Sequence, residues 1–266
     1  MFIVLAGFGN MGRALATGWL EADSIDGTIF VIDPDANARS RAEALGLNAV
    51  ASAAEITDPI DIVVLAVKPA DIDALLSELP QAQLYLSIAA GRTLRELAGR
   101  AGENAAIVRA MPNTPAAIGL GVTGLCANAN VGSSERRTAV ALLSAVGSVE
   151  WLESETEMDA LTAVSGSGPA YVFLLIECLT AAAIDIGLDP ALAERLATAT
   201  VSGAGAYAAQ SDLDAAALRH QVTSPKGTTE AALNVLLKDD ALQDLMRRAV
   251  RAAAKRSREL GSIDEK

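Results

Sequence analysis

The sequence has few aromatic residues, one histidine and two cysteines, and each scarcity excludes something. Phe, Trp and Tyr make up 3% of the 266 residues, so the core must consist mainly of Ala, Val, Leu and Ile. A Ser-His-Asp hydrolase would depend on His220 alone, and that histidine is predicted to lie at a helix end or on the surface. Cys126 and Cys178 lie far apart among apolar neighbours. This arrangement favours reduced thiols in a cytoplasmic protein over a disulfide or a zinc site, so no metal site is predicted.

Positive charge is also scarce. The chain has 21 Lys and Arg against 33 Asp and Glu, a net charge of −12 and a pI of about 4.6. Nucleic acid and anionic membrane surfaces require a basic face, so neither is predicted as a partner. The apolar run 170–184 contains Glu177 and is too short to span a bilayer comfortably, which predicts a buried helix in a core or a subunit interface. The N-terminal apolar run leads directly into a glycine motif and does not resemble a signal peptide.

Strand-like and helix-like segments alternate over the first half of the chain, which predicts a parallel, doubly wound α/β sheet. After about residue 150, long Ala- and Leu-rich stretches follow without comparable strand candidates. We therefore predict a Rossmann-like dinucleotide-binding domain over 1–152 and an all-helical domain over 153–266. The predicted strands are 2–6, 28–32, 60–67, 84–89, 106–110 and 122–127, and the predicted helices between them are 10–22, 39–45, 71–79 and 94–98.

A glycine motif, G-F-G-N-M-G, occupies residues 7–12 between the first strand and the first helix. In the G-x-G-x-x-G pattern the first glycine permits a tight turn, the second lets the backbone approach a pyrophosphate, and the third allows close helix–strand packing. The helix N-terminus offers free amides and a partial positive charge to the phosphates. The motif predicts nucleotide binding; the alternative is a glycine turn that only packs tightly.

The choice between NADH and NADPH stays open in the sequence. Asp33 ends the second strand about 20 residues after the last glycine, where an acid would accept hydrogen bonds from the adenosine ribose and favour NAD. Asn37 or Arg39 could instead hold a 2′-phosphate. Asp33 could also be only a turn or N-cap residue before Pro34. Both NADPH and NADH therefore remain candidate cofactors.

Two further segments leave strands at the carboxyl edge of the sheet, where α/β sheets bind ligands. Lys68 ends the strand-like run at A-V-K-P and either contacts the cofactor or is a surface lysine. M-P-N-T-P, residues 111–115, forms a stiff loop that suits a pocket wall, with Asn113 as a directional polar group. The predicted cofactor-binding residues are Gly7, Phe8, Gly9, Asn10, Met11, Gly12, Asp33, Ala66, Val67, Lys68, Pro69, Met111, Pro112 and Asn113.

The motifs form a set: G-F-G-N-M-G, A-V-K-P, M-P-N-T-P, and S-G-S-G-P-A-Y followed by V-T-S-P-K-G-T-T. In this order over the whole chain they resemble pyrroline-5-carboxylate reductase, the enzyme of the last step of proline synthesis. The resemblance implies reduction of 1-pyrroline-5-carboxylate to L-proline by NADPH or NADH. It also implies a helical substrate-binding and dimerisation domain that interlocks with a partner subunit, with helix 170–187 in the dimer core and the sites built at that interface. In many members, homodimers assemble further into rings such as a decamer.

The resemblance also gives roles to V-T-S-P-K-G-T-T, residues 222–229. It implies that this segment is the loop that binds the substrate carboxylate at the start of a helix. It also implies that Thr229 is the catalytic residue, whose hydroxyl contacts the ring nitrogen. The imine can arrive already protonated, so a strong general acid is not required. From the residues alone, the hydroxyls could equally cap the next helix. The predicted substrate-binding residues are Ser224, Lys226, Gly227, Thr228 and Thr229.

Lys226 departs from the family, which often has a second glycine at this point. If the position needs a positive φ, a lysine costs roughly 1–2 kcal/mol, which loop contacts could offset. Its side chain could add positive charge near the substrate carboxylate or point to solvent, and we favour solvent.

Two other functions fit parts of the sequence. A β-hydroxyacid dehydrogenase shares the two-domain plan but carries a catalytic lysine on the helix after a similar glycine turn. Here Val172 lies near that point, and no lysine occurs between Lys68 and Lys226. A non-catalytic dinucleotide-sensing protein would have no use for the loop at 224–229.

Overall fold

The computed structural model describes residues 1–22 and 25–261 of the chain. The chain forms two compact units, Met1–Gly166 together with the segment that begins at Ala253, and Ser167–Ala252. The compact units therefore divide after Gly166, whereas the sequence predicts a domain boundary after residue 152. That boundary, as a division between two functional domains, stays a prediction.

The first unit contains an eight-stranded sheet with helices on both faces, in the order β3-β2-β1-β4-β5-β6-β7-β8. β6 and β7 are antiparallel, and the other neighbouring strands are parallel. The architecture confirms the predicted α/β class with a Rossmann-like sheet. The strands are β1 Phe2–Ala6, β2 Thr28–Ile32, β3 Asn48–Val50, β4 Ile60–Leu65, β5 Ala82–Ser87, β6 Ala106–Met111, β7 Gly121–Ala127 and β8 Gly147–Trp151. The helices of this part of the chain are α1 Asn10–Glu21, α2 Ala36–Glu43, α3 Ile72–Glu78, α4 Leu94–Ala101, α5 Ser133–Ser144 and α6 Met158–Leu161.

The sheet differs from the prediction at its edges. The segment 112–120 between β6 and β7 is shorter than the dozen or so residues that a parallel crossover needs, so β7 returns antiparallel. β3, α5 and β8 were not predicted from the sequence. β3 and β8 are edge strands with no fully buried residue, so they lack the continuous apolar run that marks an interior parallel strand.

The core lies on both faces of the sheet. Ile3 and Leu5 of β1 belong to the cluster on one face, and Val4 belongs to the cluster on the other. On the first face, the indole Nε1 of Trp19 in α1 donates a hydrogen bond of 2.7 Å to the carbonyl of Leu142 in α5. Because helices cover both faces, the central strands are apolar at nearly every position, which is why they could be predicted.

The second unit is helical. Its helices are α7 Gly168–Asp185, α8 Pro190–Gln210, α9 Ala215–Gln221, α10 Thr228–Leu236 and the first part of α11 Ala241–Gly261. α7 packs against α8. α7 begins two residues before the predicted helix 170–187, with Pro169 in its first turn. A π-helical turn, Thr162–Gly166, precedes it in the first unit.

The surface of α7 is unusually apolar. Phe173 and Leu174 are each 57% exposed, and Leu175 is 50% exposed. The stretch Glu155–Asp185 is long and apolar enough to cross a membrane by length and composition, and none of its most apolar window is buried within the chain. A surface of this kind marks an interaction site. The expectation of no membrane partner stays a prediction.

Candidate functional site

The turn between β1 and α1 needs glycine at its first and third motif positions. Gly7 has a φ of +96°, which L-residues rarely adopt, and a Cβ there would lie 2.5 Å from the carbonyl oxygen of Ala66. A Cβ on Gly12 would lie 2.1 Å from the carbonyl oxygen of Gly7. Both glycines therefore allow close approach of backbone segments, as the motif predicts.

The second motif glycine has a different environment. Gly9 is the N-cap of α1 and has a φ of −70°, and no atom lies within 4 Å of where its Cβ would be. No side chain caps the helix, and its first turn has no acidic residue. Within 1–22 and 25–261, the amides of Asn10 and Met11 have no hydrogen-bond partner. An open helix N-terminus beneath empty space fits the pyrophosphate of a dinucleotide.

Asp33 braces this turn. Its Oδ2 accepts a 2.7 Å hydrogen bond from the amide of Phe8, and its Oδ1 accepts one of 2.9 Å from the amide of Asp35. The N-cap of α2 is Asp35, not Asp33, so Asp33 does not cap that helix. Phe8 is fully buried in the core. Phe8 therefore serves the turn through its backbone, and that amide is already used by Asp33.

A fixed cation lies beside Asp33. The Nη1 of Arg39 donates to the carbonyls of Asp33 and Pro34 at 2.8 and 2.9 Å, respectively. Two carbonyls therefore hold the guanidinium at the carboxyl end of β2. This is the region where a Rossmann fold distinguishes a ribose hydroxyl from a 2′-phosphate.

The A-V-K-P segment, residues 66–69, continues the same edge of the sheet. The amide of Ala66 donates to the carbonyl of Ala6 at 2.7 Å, which keeps the end of β4 beside the glycine turn. Ala66, Val67 and Pro69 are half-buried, whereas Lys68 is exposed. The structure therefore brings these backbone groups next to Gly7, and the contact of Lys68 with a cofactor stays a prediction.

The loop after β6 is held by Asn113, which is 8% exposed. Its Nδ2 donates to the carbonyl of Ser165 at 3.1 Å, and its Oδ1 accepts from the amide of Val122 at 2.9 Å. Pro112 is buried and Met111 is half-buried. Asn113 thus connects three segments of the first unit, a structural role that its predicted cofactor contact did not anticipate.

A further loop at this edge, residues 88–92, was not among the predicted site segments. It follows β5, the strand between β4 and β6. Ser87 and Ala89 are buried, and Gly91 has a φ of +84°. Arg92 is also buried and pairs with Asp73 of α3. Gly91, shortly after a buried strand, could have indicated this loop from the sequence. The strands on either side, β4 and β6, both end in segments that were predicted to contact the cofactor.

The segment 222–229 lies in the second unit and ends in the first turn of α10. The N-cap is Gly227, which has no side chain to cap the helix. Among the described residues, no hydrogen bond uses the hydroxyls of Ser224, Thr228 and Thr229 or the amides of the two threonines. The hydroxyls therefore do not cap α10, which removes the main alternative to ligand binding. The unused amides and hydroxyls of the two threonines suit an anion such as a carboxylate, although Glu230 already places one carboxylate in this first turn.

The backbone at Lys226 has a φ of +60°, so the positive φ considered from the sequence is present. Its amide donates a 2.8 Å hydrogen bond to Oε2 of Glu230, and the amide of Gly227 donates to the carbonyl of Ser224 at 3.0 Å. The side chain of Lys226 is exposed, in line with the expectation that it faces solvent.

Neither Cys126 nor His220 suggests a competing nucleophilic site, whereas Cys178 is an exposed free thiol on α7. Burial raises the pKa of the Cys126 thiol to about 11, with the charge of Glu155 adding to the rise and that of Arg109 opposing it. This thiol is therefore protonated near neutral pH and is a poor nucleophile. His220 is exposed in the last turn of α9, as predicted.

Comparison with known proteins finds two family models in this chain. Residues 155–260 match pyrroline-5-carboxylate reductase dimerisation, and residues 2–91 match NADP oxidoreductase coenzyme F420-dependent. The pyrroline-5-carboxylate reductase of Pseudomonas aeruginosa is 42% identical over 97% of this chain and 96% of its own. The structure of a pyrroline-5-carboxylate reductase from Coxiella burnetii superposes on this chain with a TM-score of 0.89 at 37% identity, covering 97% of both chains. The Plasmodium falciparum enzyme with NADP bound gives a TM-score of 0.81 at 30% identity over 98% of both chains. The chain belongs to the pyrroline-5-carboxylate reductase family.

Proposed function

We propose that this protein reduces 1-pyrroline-5-carboxylate to L-proline with NADPH or NADH, the last step of proline biosynthesis. The observation that carries the proposal is the start of α10, where the hydroxyls and amides of Thr228 and Thr229 are unused within the described chain. A dinucleotide fingerprint alone would fit many dehydrogenases. The uncapped α10 adds a place for a small anionic substrate, and the family relationship supports that assignment.

The residues of the first unit fit a dinucleotide. The amides of Asn10 and Met11 at the start of α1 would hold the pyrophosphate, and Gly9 leaves the space that it needs. Asp33 keeps the turn in shape through the amide of Phe8. When bound, the reduced nicotinamide supplies the hydride for the imine carbon.

The residues of the second unit fit the substrate. The positive end of α10 and the hydroxyls of Ser224 and Thr228 would bind the carboxylate. The hydroxyl of Thr229 would accept a hydrogen bond from the protonated ring nitrogen and so set the orientation of the imine carbon. Because the substrate brings its own proton, the task of this loop is to bind and orient rather than to donate a proton.

A spectrophotometric assay of cofactor oxidation by the purified protein tests the function directly. We expect oxidation of NADPH or NADH that depends on added pyrroline-5-carboxylate and yields proline. The control substrate is 1-pyrroline, which has the imine but no carboxylate, and we expect a much higher KM for it. No turnover with either cofactor would refute the proposed reaction, and equal KM values for the two imines would refute the carboxylate role of the loop.

Arg39 is expected to favour NADPH. Two carbonyls hold its guanidinium beside Asp33, and both oxygens of that carboxylate already accept backbone hydrogen bonds. We expect Arg39→Ala to raise the KM for NADPH by about tenfold, the effect of losing one charge-assisted contact, and to leave the KM for NADH nearly unchanged. Arg41→Ala, which removes an exposed arginine of the same helix, is the matched control. Equal effects of Arg39→Ala on both cofactors would contradict this role.

The exposed apolar face of α7 supports a homodimer in which a second copy of the chain covers that face. We also propose that the protein is cytoplasmic and that its dimers assemble further into a ring such as a decamer. We expect Leu174→Glu to dissociate the dimer and abolish activity, because a buried unpaired carboxylate is strongly unfavourable. Leu20→Glu is the control, since it changes a leucine of α1 that is 47% exposed. Sedimentation velocity at micromolar concentration measures the mass of each variant. A wild-type monomer, or a dimer unaffected by Leu174→Glu, would contradict the proposed interface.

A further inference from the structure

Lys226 has a left-handed backbone conformation at the entrance to α10, with a φ of +60°. A residue with a Cβ is strained in this region, where glycine is not. Because residue 226 is a lysine and not a glycine, an interaction elsewhere in the loop must hold this conformation.

Glu230 supplies that interaction. It is the third residue of α10, and its Oε2 accepts a 2.8 Å hydrogen bond from the amide of Lys226. The carboxylate thus reaches back past the N-cap, Gly227, which has no side chain of its own to do so. The bond is charge-assisted, and the positive end of the helix favours a carboxylate at this position.

The position of this bond matters for the reaction, because it lies between the two parts of the proposed substrate loop. Ser224 precedes the left-handed residue, and Thr228 and Thr229 follow it directly. A rotation about φ of Lys226 would change the direction in which the loop enters α10. The relative positions of the Ser224 hydroxyl and the threonine amides therefore depend on the conformation at residue 226.

We propose that Glu230 is a positioning residue that holds Lys226 in the left-handed conformation and so keeps the substrate loop in its binding shape. This inference rests on the proposed function. Glu230 acts through the amide of Lys226, not on the substrate. Its importance arises from the lysine, so a glycine at 226 makes Glu230 dispensable.

A double-mutant cycle with a conservative variant tests the proposal. We expect Glu230→Ala to raise the KM for pyrroline-5-carboxylate by about tenfold, as expected for loss of a charge-assisted hydrogen bond, with the KM for the cofactor unchanged. Glu230→Gln retains an acceptor for the amide, so its KM stays within about threefold of the wild-type value. In the Lys226→Gly background, Glu230→Ala changes the KM by less than about twofold, because glycine adopts a positive φ without strain.

Three kinetic results would overturn the proposal. The first is an equal effect of Glu230→Ala with lysine and with glycine at 226. The second is a parallel rise in the KM values for substrate and cofactor, which a general loss of structure would cause. The third is a Glu230→Gln variant as impaired as Glu230→Ala. Glu194→Ala, at an exposed position of α8, is the matched control and should behave as the wild type.

Thermal melting of the same proteins without substrate separates this inference from the proposed function. We expect Glu230→Ala to lower the melting temperature with lysine at 226 and to lower it less with glycine there. An inactive wild-type protein would refute the proposed function but leave this coupling measurable. An active wild type with equal melting shifts in both backgrounds would refute the role of Glu230 alone.

Discussion

Thr229→Ala is expected to lower the turnover number with pyrroline-5-carboxylate by about a hundredfold, the usual effect of removing a single hydroxyl or amide that orients a reacting group. The KM for NADPH or NADH should stay near the wild-type value, because the residues proposed to bind the cofactor belong to the other compact unit. The hydroxyl of Thr229 has no hydrogen-bond partner within the described chain, so its removal should leave the folded chain intact. Steady-state kinetics in both substrates measure the two effects separately.

Two control variants make this result specific. Thr229→Ser keeps the hydroxyl and should retain most of the turnover, whereas Thr229→Val keeps the shape and should be as impaired as the alanine variant. Circular dichroism melting should show all three to be folded. An unchanged turnover number for Thr229→Ala would show that the contact with the ring nitrogen is unimportant.

Gly9→Val is expected to abolish cofactor binding without unfolding the protein. The position is extended, with a φ of −70°, and has no atom within 4 Å of the added Cβ, so the fold should accept the side chain. The same side chain would occupy the space through which a pyrophosphate approaches the start of α1. We expect the Kd for NADPH to rise by more than about a hundredfold, since the phosphates would lose several backbone hydrogen bonds together.

A second motif glycine, Gly12, and a helical glycine, Gly99, provide the comparison. Gly12→Val should destabilise the fold, because its Cβ would lie 2.1 Å from the carbonyl oxygen of Gly7. Gly99→Ala, in α4 with no atom near the added Cβ, should change neither stability nor binding by much. Calorimetric titration with NADPH and thermal melting distinguish the variants. Normal NADPH affinity in Gly9→Val would contradict a dinucleotide site at this turn.

The interior of the fold was predictable, whereas its edges were not. β1 and β4 are buried on both faces, so their sequences are continuous apolar runs that can be recognised without tertiary information. β3 and β8 are edge strands whose residues are only partly buried, and strand formation there depends on the neighbouring strand. The direction of β7 followed from the short connection after β6, a restriction that the sequence contains but that the predicted alternation of strands and helices did not consider.

The positions of the two proposed binding regions were predicted from the sequence, whereas the hydrogen bonds of individual residues in them were not. The glycine motif and the threonine-rich loop both lie at helix starts, as predicted from the strand-to-helix placement of the first and from the family resemblance of the second. The cofactor contact of Asn113 stays a prediction, and its side-chain amide donates to the carbonyl of Ser165 and accepts from the amide of Val122. Its partners are 52 and 9 residues away, so no local pattern could have revealed them.

The amino-acid sequence by itself determined the family, the parallel core of the sheet and the location of the loop that begins α10, because these depend on local composition and on motif order. The tertiary structure alone decided which donors remain free. It showed that Asp33 uses the amide of Phe8 and that Glu230 uses the amide of Lys226, whereas the hydroxyl of Thr229 has no partner among the described residues. The physical reason is that a hydrogen-bond donor is available to a ligand only when it is not already bonded to another group of the folded chain.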